Sequence, residues 1–258
     1  MRANQTKAKL KAGETVYGSF VRYPDASLIE VLGYMGWDFL VFDAEHGTLE
    51  PRDCENMVRA AELRNVTSLV RVTTNQPPTI LRLMDTGVQG VHVPWVNTVP
   101  EAERAVRSVK YHPVGNRGLA GVRAAGFGQA GSFGDYVQRA NSETMIVMQI
   151  ESPEAIEALP TIVKMEGVDA IFIGPTDLSH SLGLPGELQH PTVQATIQKI
   201  VDIVVPSQVA LGIMVGNAQA GREWKERGAR YIVTTLEAVM APAVRDYLKA
   251  VRGWSGIR

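Results

Sequence analysis

Eight short apolar runs, rich in β-branched and aromatic residues, restrict the fold more than any other feature of the chain. They are VYGSF (16–20), DFLVFD (38–43), TSLVRV (67–72), GVHVPW (90–95), TMIVMQIE (144–151), DAIFIGP (169–175), ALGIMVG (210–216) and RYIVTT (230–235). Each is near-continuously apolar rather than alternating, so each needs cover on both faces, as buried parallel strands do. Helical patterns lie between several of them. PRDCENMVRAAELRN (51–65) spaces its apolar residues helically behind an early Pro. PPTILRLMDTG (77–87) ends on a Gly suited to follow a helix, and TVPEAERAVRSVKYH (98–112) opens on a capping Thr with early acids and late bases. SPEAIEALPTIV (152–163), NAQAGREWKERG (217–228) and LEAVMAPAVRDYLKAVRG (236–253) continue the series.

Eight strands alternating with helices over 258 residues predict an α/β fold, a (β/α)8 TIM barrel. An open doubly wound sheet is the other option, and the absence of G-x-G-x-x-G after the first run weighs against its dinucleotide-binding form. No Pro-, Gly- or Ser-rich linker divides the chain, so residues 1–258 are read as one domain. Two stretches break the spacing: the Gly- and Ala-rich segment 113–136, and PTDLSHSLGLPGELQHP (175–191), read as a long loop. Loops of that length in a compact domain are often functional.

The net charge of -1 argues against nucleic acid or an anionic membrane as the main partner. The opening MRANQTKAKLKAG has no apolar core of a secretory signal, and no run approaches the apolar length of a membrane span, which points to a cytoplasmic protein. The single cysteine, Cys54, excludes an intrachain disulfide and is read as a small buried hydrophobe.

In a barrel the catalytic side chains come from the carboxyl ends of the strands. There the chain places Asp43, Glu45 and His46 after the second run, Arg71 in the third, Gln149 and Glu151 at the end of the fifth, and Gly174-Pro175-Thr176-Asp177 after the sixth. Glu151 and Asp177 are candidate metal ligands, because hard cations take one or two carboxylates and complete their shell with other oxygens. The alternative for both is helix or turn capping. Arg71, in an apolar strand, needs an anion: a substrate carboxylate or enolate, or an internal ion pair with Asp43 or Glu45. His46 is a candidate general base with Asp43 orienting its ring, or a surface histidine. His92 is expected to pack within the barrel or at its rim, and Asp85 reads as a helix-end acid. None of the eight lysines falls in a predicted strand, so a carbon–carbon lyase built on this chain would not work through a Schiff base.

DAEHG (43–47), LVRV (69–72), QIESPEA (149–155) and IGPTDLS (173–179) together resemble the class II pyruvate aldolases of the HpcH/HpaI family, within the wider phosphoenolpyruvate/pyruvate superfamily of barrels. The likeness runs over nearly the whole chain, and KYHPVGNRG (110–118) is similar to the family's link after its fourth helix. The resemblance implies that Glu151 and Asp177 bind a divalent cation, Mg²⁺, Mn²⁺ or Co²⁺. It implies that Arg71 holds the keto oxygen and the developing enolate, and that His46 with Asp43 transfers protons. It also implies that Gln149 lies beside the metal site, that the amides near Thr176 and Asp177 cradle the pyruvate carboxylate, and that Asp85 serves a neighbouring subunit's site. The expected assembly is a homo-oligomer, a hexamer built as a trimer of dimers that exchange the last helix, 236–252.

The implied reaction is reversible cleavage of a 2-oxo-4-hydroxy acid to pyruvate and an aldehyde. Sugar-derived 2-keto-3-deoxy acids and 4-hydroxy-2-oxoheptanedioate both fit, with segment 113–136 and residues Trp95 to Thr98 shaping the aldehyde end. The alternatives are a citryl- or malyl-CoA type lyase, for which only Arg117 and Arg123 offer basic contacts, and a non-catalytic oxo-acid-binding barrel.

Overall fold

The computed structural model describes residues 1–252; Gly253, read as the end of the last helix, lies outside them. Eight parallel strands close a barrel in sequence order: β1 (Val16–Val21), β2 (Phe39–Asp43), β3 (Thr67–Arg71), β4 (Gly90–Val93), β5 (Met145–Ile150), β6 (Ala170–Ile173), β7 (Ala210–Met214) and β8 (Ala229–Thr235). β8 returns to pair with β1, from Val16↔Tyr231 to Phe20↔Thr235, so no strand edge is left open.

The expected helices form as α3 (Pro51–Leu63), α4 (Pro77–Met84), α5 (Val99–Val109), α7 (Pro153–Ile162), α10 (Ala218–Glu226) and α11 (Leu236–Arg252). Five more were not read from the sequence: α1 (Gln5–Lys11), α2 (Ala26–Tyr34), α6 (Phe133–Glu143), α8 (Pro175–Ser181) and α9 (Pro191–Val204). The reading of 175–191 as a long loop is thereby corrected for 175–181, whereas 182–190 is the loop between α8 and α9. Pro175 opens α8, and Leu178 and Ser179 are buried beneath it, so packing turns a polar segment into helix. Similarly, Asp25 caps α2 by accepting from the Leu28 N–H.

Two apolar layers result. An outer one lies between strands and helices. An inner one fills the barrel with Val16, Phe20, Phe39, Val41, Leu69, Met145, Val147, Phe172, Tyr231 and Val233. α1 closes the amino-terminal mouth, its Leu10 joining the inner cluster.

The two-residue repeat of a strand selects the side chains that reach the carboxyl mouth. On β2 the inner set Phe39, Val41 continues to Asp43; on β3, Leu69 continues to Arg71; on β5, Met145 and Val147 continue to Gln149 and then Glu151. The inward face is apolar at one end of the barrel and polar at the other. Register then aligns the polar ends: Asp43 pairs with Arg71, Arg71 with His92, and His92 with Val147, one inward step below Gln149.

Candidate active site

The best-defined contact at the carboxyl mouth is a two-point ion pair. Arg71 Nε donates to Asp43 Oδ1 at 2.9 Å and Nη2 to Oδ2 at 2.6 Å. Both side chains are buried, and Arg71 Nε is also 3.3 Å from Glu45 Oε2. The guanidinium carbon lies 4.5 Å from the centre of the Phe20 ring. Asp43 Oδ1 additionally accepts the backbone N–H groups of Glu45 and His46, each at 3.2 Å. Although burial pushes the Asp43 carboxyl up, the Arg71 hydrogen bonds and charge, with the His46 N–H, hold it below the usual carboxylate range.

Asp43 therefore shapes the loop carrying His46 through its backbone. Among the described residues no hydrogen bond joins Asp43 to the His46 ring; the ring is half exposed and its Nε2 lies 4.0 Å from Glu45 Oε2. Arg71 Nη1 has no hydrogen-bond partner among the described residues, which leaves one edge of the guanidinium for a ligand.

Glu151, one residue beyond β5, is 1% exposed. Its Oε1 accepts from Gln149 Nε2 at 2.5 Å and its Oε2 from the Trp95 backbone N–H at 3.1 Å. Trp95 adopts φ 54°, in the left-handed region that residues with a side chain seldom enter. Such a conformation costs of order 1–3 kcal/mol and persists where its surroundings impose it. Here it aims an N–H at a buried carboxylate. Gly174 supplies the floor: a Cβ on it would lie 2.4 Å from Glu151 Oε1.

Burial pushes Glu151 up to about 7 against the Trp95 N–H, with the Asp177 charge adding to the rise. Burial also raises Glu45 against the pull of Arg71 and His46, and Asp43 and Asp177 add to it. Glu45, Glu151 and Asp177 thus crowd one mouth whose nearest cation, Arg71, is already held by Asp43. That surplus of negative charge fits a divalent cation between Glu151 and Asp177. Among the described residues no group of three or more His, Cys, Asp and Glu side chains is placed to hold an ion. The donor set therefore suits a hard cation that draws its remaining oxygens from water and substrate, not a closed Zn²⁺ site.

A family model described as HpcH/HpaI aldolase/citrate lyase matches residues 17–240. The chain belongs to this family. It is 34% identical over 247 residues to a 4-hydroxy-2-oxo-heptane-1,7-dioate aldolase of Escherichia coli, covering 96% of this chain and 94% of that protein. It is 35% identical over 241 residues to a hydroxypyruvate/pyruvate aldolase of Sagittula stellata, covering 92% and 93%. The crystal structure of an HpcH/HpaI aldolase/citrate lyase family protein from Burkholderia cenocepacia superposes with a TM-score of 0.91 at 32% identity, covering 97% of this chain and 100% of that one. These relatives make the chain a carbon–carbon lyase of the HpcH/HpaI class.

In this HpcH/HpaI barrel Asp85 stands apart from the cluster. It ends α4, and the chain then turns through Gly87 into the start of β4, at the barrel end opposite the mouth. There Asp85 Oδ1 accepts from Arg117 Nη2 at 2.7 Å, beside a surface cavity of about 690 Å³ whose lining includes Arg52, Arg59, Arg82 and Arg123. Lys110 is the lysine whose chemistry would suit a Schiff base, since burial and then Lys7 lower it to about 7. Its Nζ donates to the carbonyl of Thr144, which precedes β5, so it also lies at the far end from Glu151. Cys54 is fully buried in α3, with burial pushing its thiol up to about 12.

Sequence reasoning passed over the Trp95 N–H and the need for a glycine at 174. A motif match names side chains, whereas these two groups act through backbone and through empty space.

Proposed function

We propose that this chain is a divalent-metal-dependent aldolase that cleaves 2-oxo-4-hydroxy acids to pyruvate and an aldehyde, and that it runs the same step in reverse. The observation that carries the reading is the crowding of Glu45, Glu151 and Asp177 on one another at the mouth, with Glu45 beside an Arg71 that keeps one free edge.

Glu151 and Asp177 would hold Mg²⁺, Mn²⁺ or Co²⁺, which when bound supplies Lewis-acid polarisation of the 2-oxo group. Thr176 and Asp177 are the second and third residues of α8, so their N–H groups have no acceptor within the helix and suit the substrate carboxylate. Arg71 Nη1 donates to the 2-oxo oxygen and stabilises the enolate as charge develops there. Asp43 keeps the guanidinium in the plane that this contact needs. His46, on its half-exposed loop, takes the proton from the 4-hydroxyl; the C3–C4 bond breaks, the aldehyde leaves, and the enolate is protonated to pyruvate. Gln149 orients Glu151 from inside the barrel.

Two features support a homo-oligomer that exchanges α11. Val239, Met240, Val244, Tyr247 and Val251 of that helix are exposed. An apolar cavity of about 510 Å³, lined by Tyr17, Trp37, Val215, Ile232 and Pro242 among others, lies open beside its first turns. A hexamer would also give a use to Asp85, which is far from its own mouth and, though paired with Arg117, keeps a quarter of its side chain exposed. No described helix is long and apolar enough to cross a membrane.

The test is pyruvate release from 4-hydroxy-2-oxoheptanedioate and from 2-keto-3-deoxy sugar acids, without coenzyme A, in the presence of Mn²⁺ or Mg²⁺. Turnover that stops in excess chelator and returns with metal is expected. An unchanged rate in chelator would reject the metal scheme, and turnover only with CoA esters would move the chain to the citrate lyase branch.

A further inference from the structure

A run of polar side chains crosses the barrel interior behind Glu151, and the proposed mechanism uses only its last member. Tyr231, His92 and Gln149 are each 0% exposed. The Tyr231 hydroxyl lies 2.9 Å from His92 Nε2, and His92 Nδ1 lies 3.1 Å from Gln149 Oε1. The ring is walled by Phe172 and Phe20, at centroid distances of 4.9 and 5.5 Å. Gln149 Nε2 then reaches Glu151 Oε1.

The donor direction is set by the count of donors and acceptors. Burial lowers His92 to about 3, so the ring is neutral and has one donor and one acceptor. Among the described residues the Tyr231 hydroxyl has no hydrogen-bond partner other than Nε2. A buried hydroxyl left without an acceptor for its proton is costly, so Tyr231 donates and Nε2 accepts. The proton of the ring is therefore on Nδ1, where it donates to Gln149 Oε1. With its oxygen held, the carboxamide can present only its NH₂ end to Glu151. The flipped amide would set oxygen against carboxylate.

We propose that His92 and Tyr231 are positioning residues: by fixing which end of the Gln149 carboxamide faces Glu151, they set the orientation in which this carboxylate meets a divalent cation. The inference rests on the proposed role of Glu151 as a metal ligand. Neither residue touches substrate. Both sit inside the barrel because their strands' inward alternation places them there; the β4–β5 register sets His92 one inward step below Gln149, and Tyr231 reaches it from β8 on the opposite side of the barrel.

Mn²⁺ binding, followed by the electron paramagnetic resonance of the free ion, tests this without turnover. Losing a partner behind a metal ligand typically weakens affinity about 10- to 100-fold. His92→Leu is expected to raise the Mn²⁺ Kd about tenfold or more, at the lower end of that range. His92→Asn, which keeps an N–H near the Nδ1 position, is expected to recover most of the loss. Tyr231→Phe, the least disruptive change, is expected to fall between His92→Leu and wild type. In wild type, ¹⁵N NMR of the His92 ring, assigned by its loss in His92→Leu or His92→Asn, should show protonated Nδ1 and bare Nε2. A merely structural histidine would not need that tautomer.

If wild type binds Mn²⁺ and Glu151→Gln does not, while the His92 and Tyr231 variants all bind within twofold of wild type, the positioning role is overturned and the metal site stands. A neutral ring protonated on Nε2 overturns it too. If wild type fails to bind, or Glu151→Gln binds as well as wild type, the ligand assignment falls and takes this role with it.

Discussion

Replacing Gly174 by alanine isolates the geometry of Glu151 from its chemistry. The added Cβ would stand 2.4 Å from Glu151 Oε1 and 3.0 Å from its Cγ. Real Cβ atoms essentially never approach closer than 3.0 Å, so the carboxylate must retreat by at least about 0.6 Å. It has no slack to do so, because Oε1 is tied to Gln149 at 2.5 Å and Oε2 to the Trp95 N–H at 3.1 Å. One of the two hydrogen bonds lengthens beyond use. The backbone itself accepts alanine, since Gly174 sits at φ -94°. A misplacement of this order near reacting atoms costs about a hundredfold in rate, or ~2.7 kcal/mol of transition-state stabilisation. We therefore expect Gly174→Ala to lose about a hundredfold in kcat/KM for pyruvate release, with a matching rise in Mn²⁺ Kd. Its melting temperature should stay within a few degrees of wild type, because the clash falls on a side chain at the mouth and not on the core. Kinetics within threefold of wild type, with a crystal structure showing Glu151 unmoved, would refute the reasoning.

The electrostatics of the mouth give two further expected outcomes. Arg71→Ala leaves Asp43, 1% exposed, without its partner, and an uncompensated buried charge costs roughly 3–5 kcal/mol. Arg71→Lys keeps the charge but loses the two-point contact; it should fold with a smaller stability loss and still drop about a hundredfold or more in turnover, and near-wild-type turnover would remove Arg71 from the mechanism. For the metal-free protein, Glu151 binds its proton more tightly folded, at about 7, than unfolded, at 4.5. The native state then holds more protons between those values, so this residue's contribution to stability falls as pH rises from 4.5 to 7 and is flat above, by up to about 3 kcal/mol. Urea unfolding of wild type and Glu151→Gln across that range should diverge accordingly, and saturating Mn²⁺ should abolish the divergence; parallel curves would reject the raised carboxyl.

The alternation of apolar runs with helical spacing was enough to specify the barrel, because burial on both faces is a local demand that each run states for itself. The carboxyl-end residues were legible for the same reason. Asp43, Arg71 and Glu151 continue the inward face of their own strands, and their polarity is visible where an apolar residue is expected. The helices α2, α8 and α9 were not legible, since their turns are stabilised largely by what they pack on. Above all, no local pattern states which partners meet. Arg71 finds Asp43 from 28 residues away, His92 finds Gln149 from 57, and His92 finds Tyr231 from 139. Those pairings come from the register of neighbouring strands and the closure of β8 onto β1, and so does the seating of Glu151 on Gly174. Residue types came with the chain; which proton faces which oxygen was decided only once the barrel had closed.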